Sequence, residues 1–189
     1  MKKLEHTIIA FVEDEPGVLN RIVSLLRRRN YNIKSLVVGA TERPGLSRMT
    51  IVTDESNAHR RIGMARNIQK LVNAYTVEDV TEVPAVIREY MLAKVTVSNG
   101  DRTELAKLAN DFGAKIIDSE EGAVIVEATG YDMEISAFIE QLKEFDISEL
   151  MRSGKMAMRR GSHEELKAKI EQMTTDQEWS TAQIQNSLH

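Results

Sequence analysis

The residues best placed to do chemistry lie in one short run, Val12-Glu13-Asp14-Glu15-Pro16-Gly17-Val18-Leu19-Asn20. It follows the apolar stretch TIIAFV and opens an apolar helix pattern. Its three adjacent carboxylates could serve as general acid and base, but acids at a helix start are more commonly caps and partners of the helix dipole. A helix opening at Pro16 leaves its first backbone N–H groups without partners. Pro16 has no N–H, so Gly17, Val18 and Leu19 are the expected donors, and with the dipole they attract a carboxylate. Gly17 lets a ligand reach the backbone with no Cβ in the way. Asp14 could face an ammonium. An amino-acid ligand fits all three features, while a plain tight strand-to-helix turn fits the Pro16-Gly17 pair as well.

Other reactive constellations are missing. His6, His59, His163 and His189 have no metal-ligand spacing to one another or to a carboxylate, and the chain has no cysteine. That removes thiolate zinc sites, disulfides and thiol nucleophiles. No nucleophile elbow, P-loop or dinucleotide fingerprint occurs. No catalytic residue, metal ligand or cofactor is therefore assigned to the chain. With 189 residues and a net charge of −4, it carries no general electrostatic footprint for nucleic acid. No stretch approaches the roughly 20 apolar residues of a membrane span. The N-terminal apolar run is short and ends in acids, unlike a secretory leader. The expectation is a soluble, cytoplasmic protein.

The elements that must position the corner follow from periodicity. Residues 6–13 read as a strand, and Leu19, Ile22, Val23 and Leu26 form one helical stripe closed by Arg27-Arg28-Arg29. Residues 32–41 and 46–53 read as strands about the turn Glu42-Arg43-Pro44-Gly45. A helix near 57–72, with Met64, Ile68, Leu71 and Val72 as its stripe, and a strand over 75–83 complete βαββαβ. Pro84 and Arg88-Glu89 mark a joint, after which the pattern repeats. Residues 91–98 are a strand, and Asp101-Arg102-Thr103-Glu104 is a capping-box signature for a helix striped by Leu105, Leu108, Ala109 and Phe112. Strands over 114–118 and 123–128 precede a helix striped by Ile135, Phe138, Ile139 and Leu142, and a last extended segment runs from Ile147 towards Arg160-Gly161.

The expected fold is therefore α+β: two ferredoxin-like βαββαβ domains in tandem, each an antiparallel sheet with two helices on one face. The expected boundaries are 1–83, 84–161 and a helical or frayed tail over 162–189, with Leu166, Ile170 and Met173 as a short stripe and Trp179 as an anchor or an exposed residue. RNA-binding units of this topology need aromatics on the central strands, and the segment RMTIV has none.

The run Asp14-x-Pro16-Gly17-Val18-Leu19 resembles the first corner of the ACT domain, an amino-acid-sensing module. Tyr31-Asn32-Ile33, Ser35-Leu36 and Leu46-Ser47-Arg48-Met49-Thr50 narrow the match to the regulatory small subunit of acetohydroxyacid (acetolactate) synthase. Arg88-Glu89, Met91-Leu92, Lys94-Val95, Ile116-Ile117-Asp118, Ala137-Phe138-Ile139, Arg152-Ser153-Gly154 and Arg160-Gly161 extend it. The resemblance covers about residues 5–161, and the tail from Ser162 runs past the family's usual end.

The resemblance implies a protein with no catalysis of its own. It would bind and activate a catalytic large subunit that carries thiamine diphosphate, a divalent metal and FAD, and would make that subunit sensitive to valine. It implies a homodimer through ACT domains, with valine between two of them. One side of the valine site is carried over to Asp14, Gly17, Val18 and Leu19. The other, from the neighbouring subunit, is carried over to Asn32 and Ile33. The family commonly has asparagine at the position of Asp14, so effector affinity is open to change here. The alternatives are a free-standing ACT sensor controlling another enzyme or regulator, and a small enzyme on the same fold.

Overall fold

The structure, a computed structural model, describes residues 5–98, 100–162, 164, 168 and 170–172. The chain divides into two units, Met1–Ala85 together with Arg159–His189, and Val86–Met158. The first unit contains β1 (His6–Glu13), α1 (Val18–Arg28), β2 (Ile33–Ala40), β3 (Leu46–Thr53), α2 (Ala58–Gln69) and β4 (Ala74–Asp79). Its strands are antiparallel in the spatial order β2-β3-β1-β4. Ile8 lies opposite Ile51, and Ala10 opposite Met49. Because side chains alternate along a strand, these residues and Val12 share one face. Ile22 and Leu26 of α1 and Met64 and Ile68 of α2 pack on it. Each such fully buried side chain contributes about 1.5–3 kcal/mol. The other face carries no helix of the sheet's own βαββαβ set. There Phe11 lies under Arg48, 5.7 Å from ring centroid to guanidinium, and Leu46 and Tyr75 are buried.

The remaining strands and helices repeat the arrangement: β5 (Ala85–Thr96), α3 (Asp101–Asp111), β6 (Lys115–Glu120), β7 (Ala123–Gly130), α4 (Asp132–Leu142) and β8 (Asp146–Arg152). The order is β6-β7-β5-β8, and a short strand β9 (Met156–Arg159) also pairs with β5. Its core gathers Met91, Ala93, Val95, Val124, Val126, Leu105, Phe138 and Leu142. The molecule is thus α+β with two ferredoxin-like units in tandem. The final extended segment is two strands rather than one, and β5 starts at Ala85, earlier than its apolar pattern, to pair with β9.

Local expectations failed where packing, not spacing, decides. Leu19 is 43% exposed, and Val18 replaces it in the buried stripe of α1. Val72 lies beyond the end of α2 and is 79% exposed. The expected capping box is absent: Asp101 lies inside α3, and its carboxylate accepts from the N–H and hydroxyl of Ser98 at 3.1 and 2.7 Å. Of the expected terminal helix, Leu166, Met173 and Trp179 lie outside the described residues.

Candidate functional site

The corner between β1 and α1 is built by hydrogen bonds to two neighbouring turns. Glu13 ends β1, and its N–H donates to the carbonyl of Asn73 at 3.0 Å. The Asn73 side-chain amide donates back to the Glu13 carboxylate. The Asp14 N–H donates to the carbonyl of Gly45 at 2.9 Å, and the Ser47 hydroxyl donates to its Oδ1 at 3.0 Å. Asp14 is therefore an exposed carboxylate held at backbone and side chain. Its second oxygen accepts no hydrogen bond among the described residues. It remains able to meet a cation.

The helix start differs in detail from the reading of the sequence. Pro16 and Gly17 precede α1, and Gly17 is the residue at its N-terminal boundary, with φ +89° and no side-chain cap. Only a residue without a Cβ adopts this left-handed geometry cheaply. An added Cβ there would meet nothing within 4 Å, so the space above the corner is open. The N–H of Val18 is occupied by a turn, donating to the Glu15 carbonyl at 3.3 Å. Val18 therefore serves the core instead of offering a donor. Among the described residues, no acceptor meets the N–H groups of Gly17, Leu19 and Asn20, whereas Arg21 donates to Gly17 at 3.0 Å. Asn20 is a donor that spacing alone missed, because the turn shifts the helix start by one residue. The exposed Leu19 side chain stands beside these donors as an apolar contact.

Asn32 and Ile33 are elsewhere. Ile33 begins β2 opposite Thr53, which lies opposite His6 at the far end of β1. Asp14 follows the other end, where Glu13 lies opposite Leu46. Within one chain the six residues thus lie in two groups at opposite ends of one sheet. Asn32 is exposed and donates to Asp54 at 3.2 Å. Its neighbour Tyr31 is held by Arg60, whose guanidinium sits 4.9 Å from the ring centroid and whose carbonyl accepts from the Tyr31 hydroxyl at 2.8 Å. β2 is an edge strand with Val38 42% exposed, so its outer edge is available for pairing.

No group of three or more His, Cys, Asp or Glu residues able to hold a metal ion occurs among the described residues. No helix among them is long and apolar enough to cross a membrane. The chemistry on offer at the corner is recognition of a small zwitterion: amide donors for a carboxylate, Asp14 for an ammonium and Leu19 for an apolar side chain.

Comparison with known proteins agrees with this architecture over both units. Residues 8–76 match the family model of the AHAS small subunit-like ACT domain, and residues 88–161 that of the small subunit of acetolactate synthase. A small-subunit relative from Archaeoglobus fulgidus is 42% identical over 161 residues, which cover 84% of this chain and 99% of that protein. The acetolactate synthase small subunit of Mycobacterium bovis is 37% identical over 161 residues, covering 85% of this chain and 95% of its own. The crystal structure of the acetolactate synthase small subunit from Thermotoga maritima superposes with a TM-score of 0.78 at 34% identity, covering 84% of this chain and 99% of that one. This chain belongs to the acetolactate synthase small-subunit family, and with that family comes a regulatory-subunit role beside a catalytic partner.

Proposed function

We propose that the chain activates the catalytic subunit of acetolactate synthase and makes it sensitive to valine, as a cytoplasmic, non-catalytic subunit of branched-chain amino-acid biosynthesis. Thiamine diphosphate, the divalent metal and FAD belong to the catalytic partner in this reading. The observation that supports the effector site best is the open corner, where Leu19 and Asn20 offer unpaired amides beside the anchored Asp14. The two half-sites argue for a dimer. Antiparallel pairing of β2 with β2 of a second copy brings the Ile33 end of one chain to the Ala40 end of the other, the end from which β3 leads to Asp14. Valine would then lie between Asp14, Gly17, Val18 and Leu19 of one chain and Asn32 and Ile33 of its neighbour. Val18 contributes there by fixing the helix start rather than by donating.

Valine can shift the holoenzyme only by binding one conformation better than another. Typical couplings of about 1–3 kcal/mol are within reach of burying one valine side chain, about 1.5–3 kcal/mol. The test is acetolactate formation by the catalytic subunit alone, with this protein, and with this protein plus L-valine. Activation that valine removes is the expected result. Activation insensitive to valine would leave the subunit role and discard the effector site. No effect between two folded components would discard both.

A further inference from the structure

The matched family models stop at residue 161, and 84% of this chain covers 99% of the Archaeoglobus and Thermotoga relatives. The segment beyond is thus an addition to the matched architecture. Two of its residues have described partners in the first unit. Ile170 is 5% exposed and packs with Leu46, Tyr75 and Phe11 on the face opposite α1 and α2. Glu171 accepts from the Arg43 guanidinium at 3.0 Å. Both contacts reach the same β2–β3 turn.

That turn also holds the corner. The Thr41 hydroxyl accepts from the Arg43 N–H at 3.1 Å and lies 3.0 Å from the Leu46 carbonyl, to which it donates. The Leu46 N–H donates to the Arg43 carbonyl at 3.3 Å, and the Thr41 N–H to the Leu46 carbonyl at 3.1 Å. From the same turn, Gly45 and Ser47 take the Asp14 N–H and supply the hydroxyl on its carboxylate. A continuous set of contacts therefore runs from Ile170 and Glu171 through residues 43–47 to Asp14.

We infer that the segment carrying Ile170 and Glu171 is an intrachain strap that holds the 41–47 turn and thereby positions Asp14 for the effector. The effector half of this inference rests on the valine reading above. Ile170 supplies the burial, because Phe11, Leu46 and Tyr75 would otherwise present an apolar patch on this part of the face. The Arg43–Glu171 pair joins groups that keep contact with water, so its contribution is small and its role is to fix where the strap lands.

The decisive experiment combines amide hydrogen exchange with calorimetric titration by L-valine. It compares the full chain, Ile170→Asp, Glu171→Arg, the swap Glu171→Arg with Arg43→Glu, and a chain ended after Gly161, the length at which the family match stops. The amides of Asp14, Thr41 and Leu46 report on the turn directly, through their bonds to Gly45, Leu46 and Arg43. Exchange at these three should quicken at least threefold in Ile170→Asp and in the shortened chain, with valine affinity falling severalfold. A smaller change in Glu171→Arg should be reversed by the swap. Unchanged exchange at all three amides in the folded variants would overturn the strap. Faster exchange with undiminished valine affinity would overturn its link to the effector. Faster exchange with valine bound by no form, the full chain included, would refute the effector reading and leave the strap standing.

Discussion

At Gly17 a single backbone angle decides whether the corner can form. With φ at +89°, a side chain at this position costs about 1–2 kcal/mol. Gly17→Ala should lower stability by that amount and weaken valine binding, measured by thermal unfolding and titration; an unchanged melting temperature would contradict the left-handed assignment. Asn32 is exposed and bonded only to Asp54 among the described residues, so its loss should leave the fold intact. Asn32→Ala should keep activation of the catalytic subunit and lose valine inhibition. Loss of both in a folded variant would show that the two roles share this residue.

His6 makes stability depend on pH. Its ring is buried, with Nε2 3.0 Å from the Asp79 carboxylate and Nδ1 unpartnered among the described residues. Burial lowers its pKa below 6.5 even though Asp79 pulls the other way. The native ring is therefore neutral where the unfolded one begins to take a proton, and stability falls as pH drops below 6.5. Asp79 adds a second loss in stronger acid. Burial raises its pKa, but hydrogen bonds from Thr81 and the nearby His6 outweigh that and hold it below 3.8, so this contribution is complete above 3.8 and disappears below it. Urea midpoints should decline from neutral pH downwards, and His6→Gln should flatten the first part of the decline.

Among the elements, the second unit depends on a buried charge to join three of them. Glu89 on β5 is 4% exposed and accepts two bonds from Arg152 at the end of β8, at 2.8 and 2.6 Å. Arg152 also reaches Asp132 at the start of α4 at 3.2 Å. The bond to Glu89 raises the Arg152 pKa. Hydrogen bonds to charged groups contribute about 1.5–3 kcal/mol, and a partner left unpaired costs more. Glu89→Gln, which preserves size, should cost about 1.5–3 kcal/mol by urea unfolding. A loss under 0.5 kcal/mol, on the order of a neutral surface change, would mean the pair only breaks even against its desolvation. The Arg88-Glu89 and Arg152-Ser153-Gly154 motifs stood out in the sequence, but their pairing across 63 residues did not. No local period reports which strand ends become neighbours.

For the whole molecule, the proposed effector site makes assembly the quantity that matters, because one chain holds Asp14 and Asn32 at opposite ends of a sheet. If β2 pairs with its copy, a charge on its outer part will repel its symmetry mate and solvate the edge. Val38→Lys should shift the protein from dimer to monomer in light scattering and lose valine response, with the chain still folded. A persistent dimer would direct attention to another surface.

The sequence by itself determined the order of elements, the antiparallel tandem units and the place of the corner. These rest on local signals: strand alternation, helical stripes, and the Pro16-Gly17 break beside three acids. Its motifs also carried the family resemblance. Tertiary structure alone decided which atoms the corner presents. The Glu15 turn takes the Val18 N–H and leaves that of Asn20 open beside those of Gly17 and Leu19, a shift that hydrophobic spacing cannot resolve. It also decided that Asn32 lies a full strand away from Asp14, and that Ile170 and Glu171 reach the turn beneath Asp14. Register and long-range packing set those distances, and both depend on pairs of residues far apart in the chain.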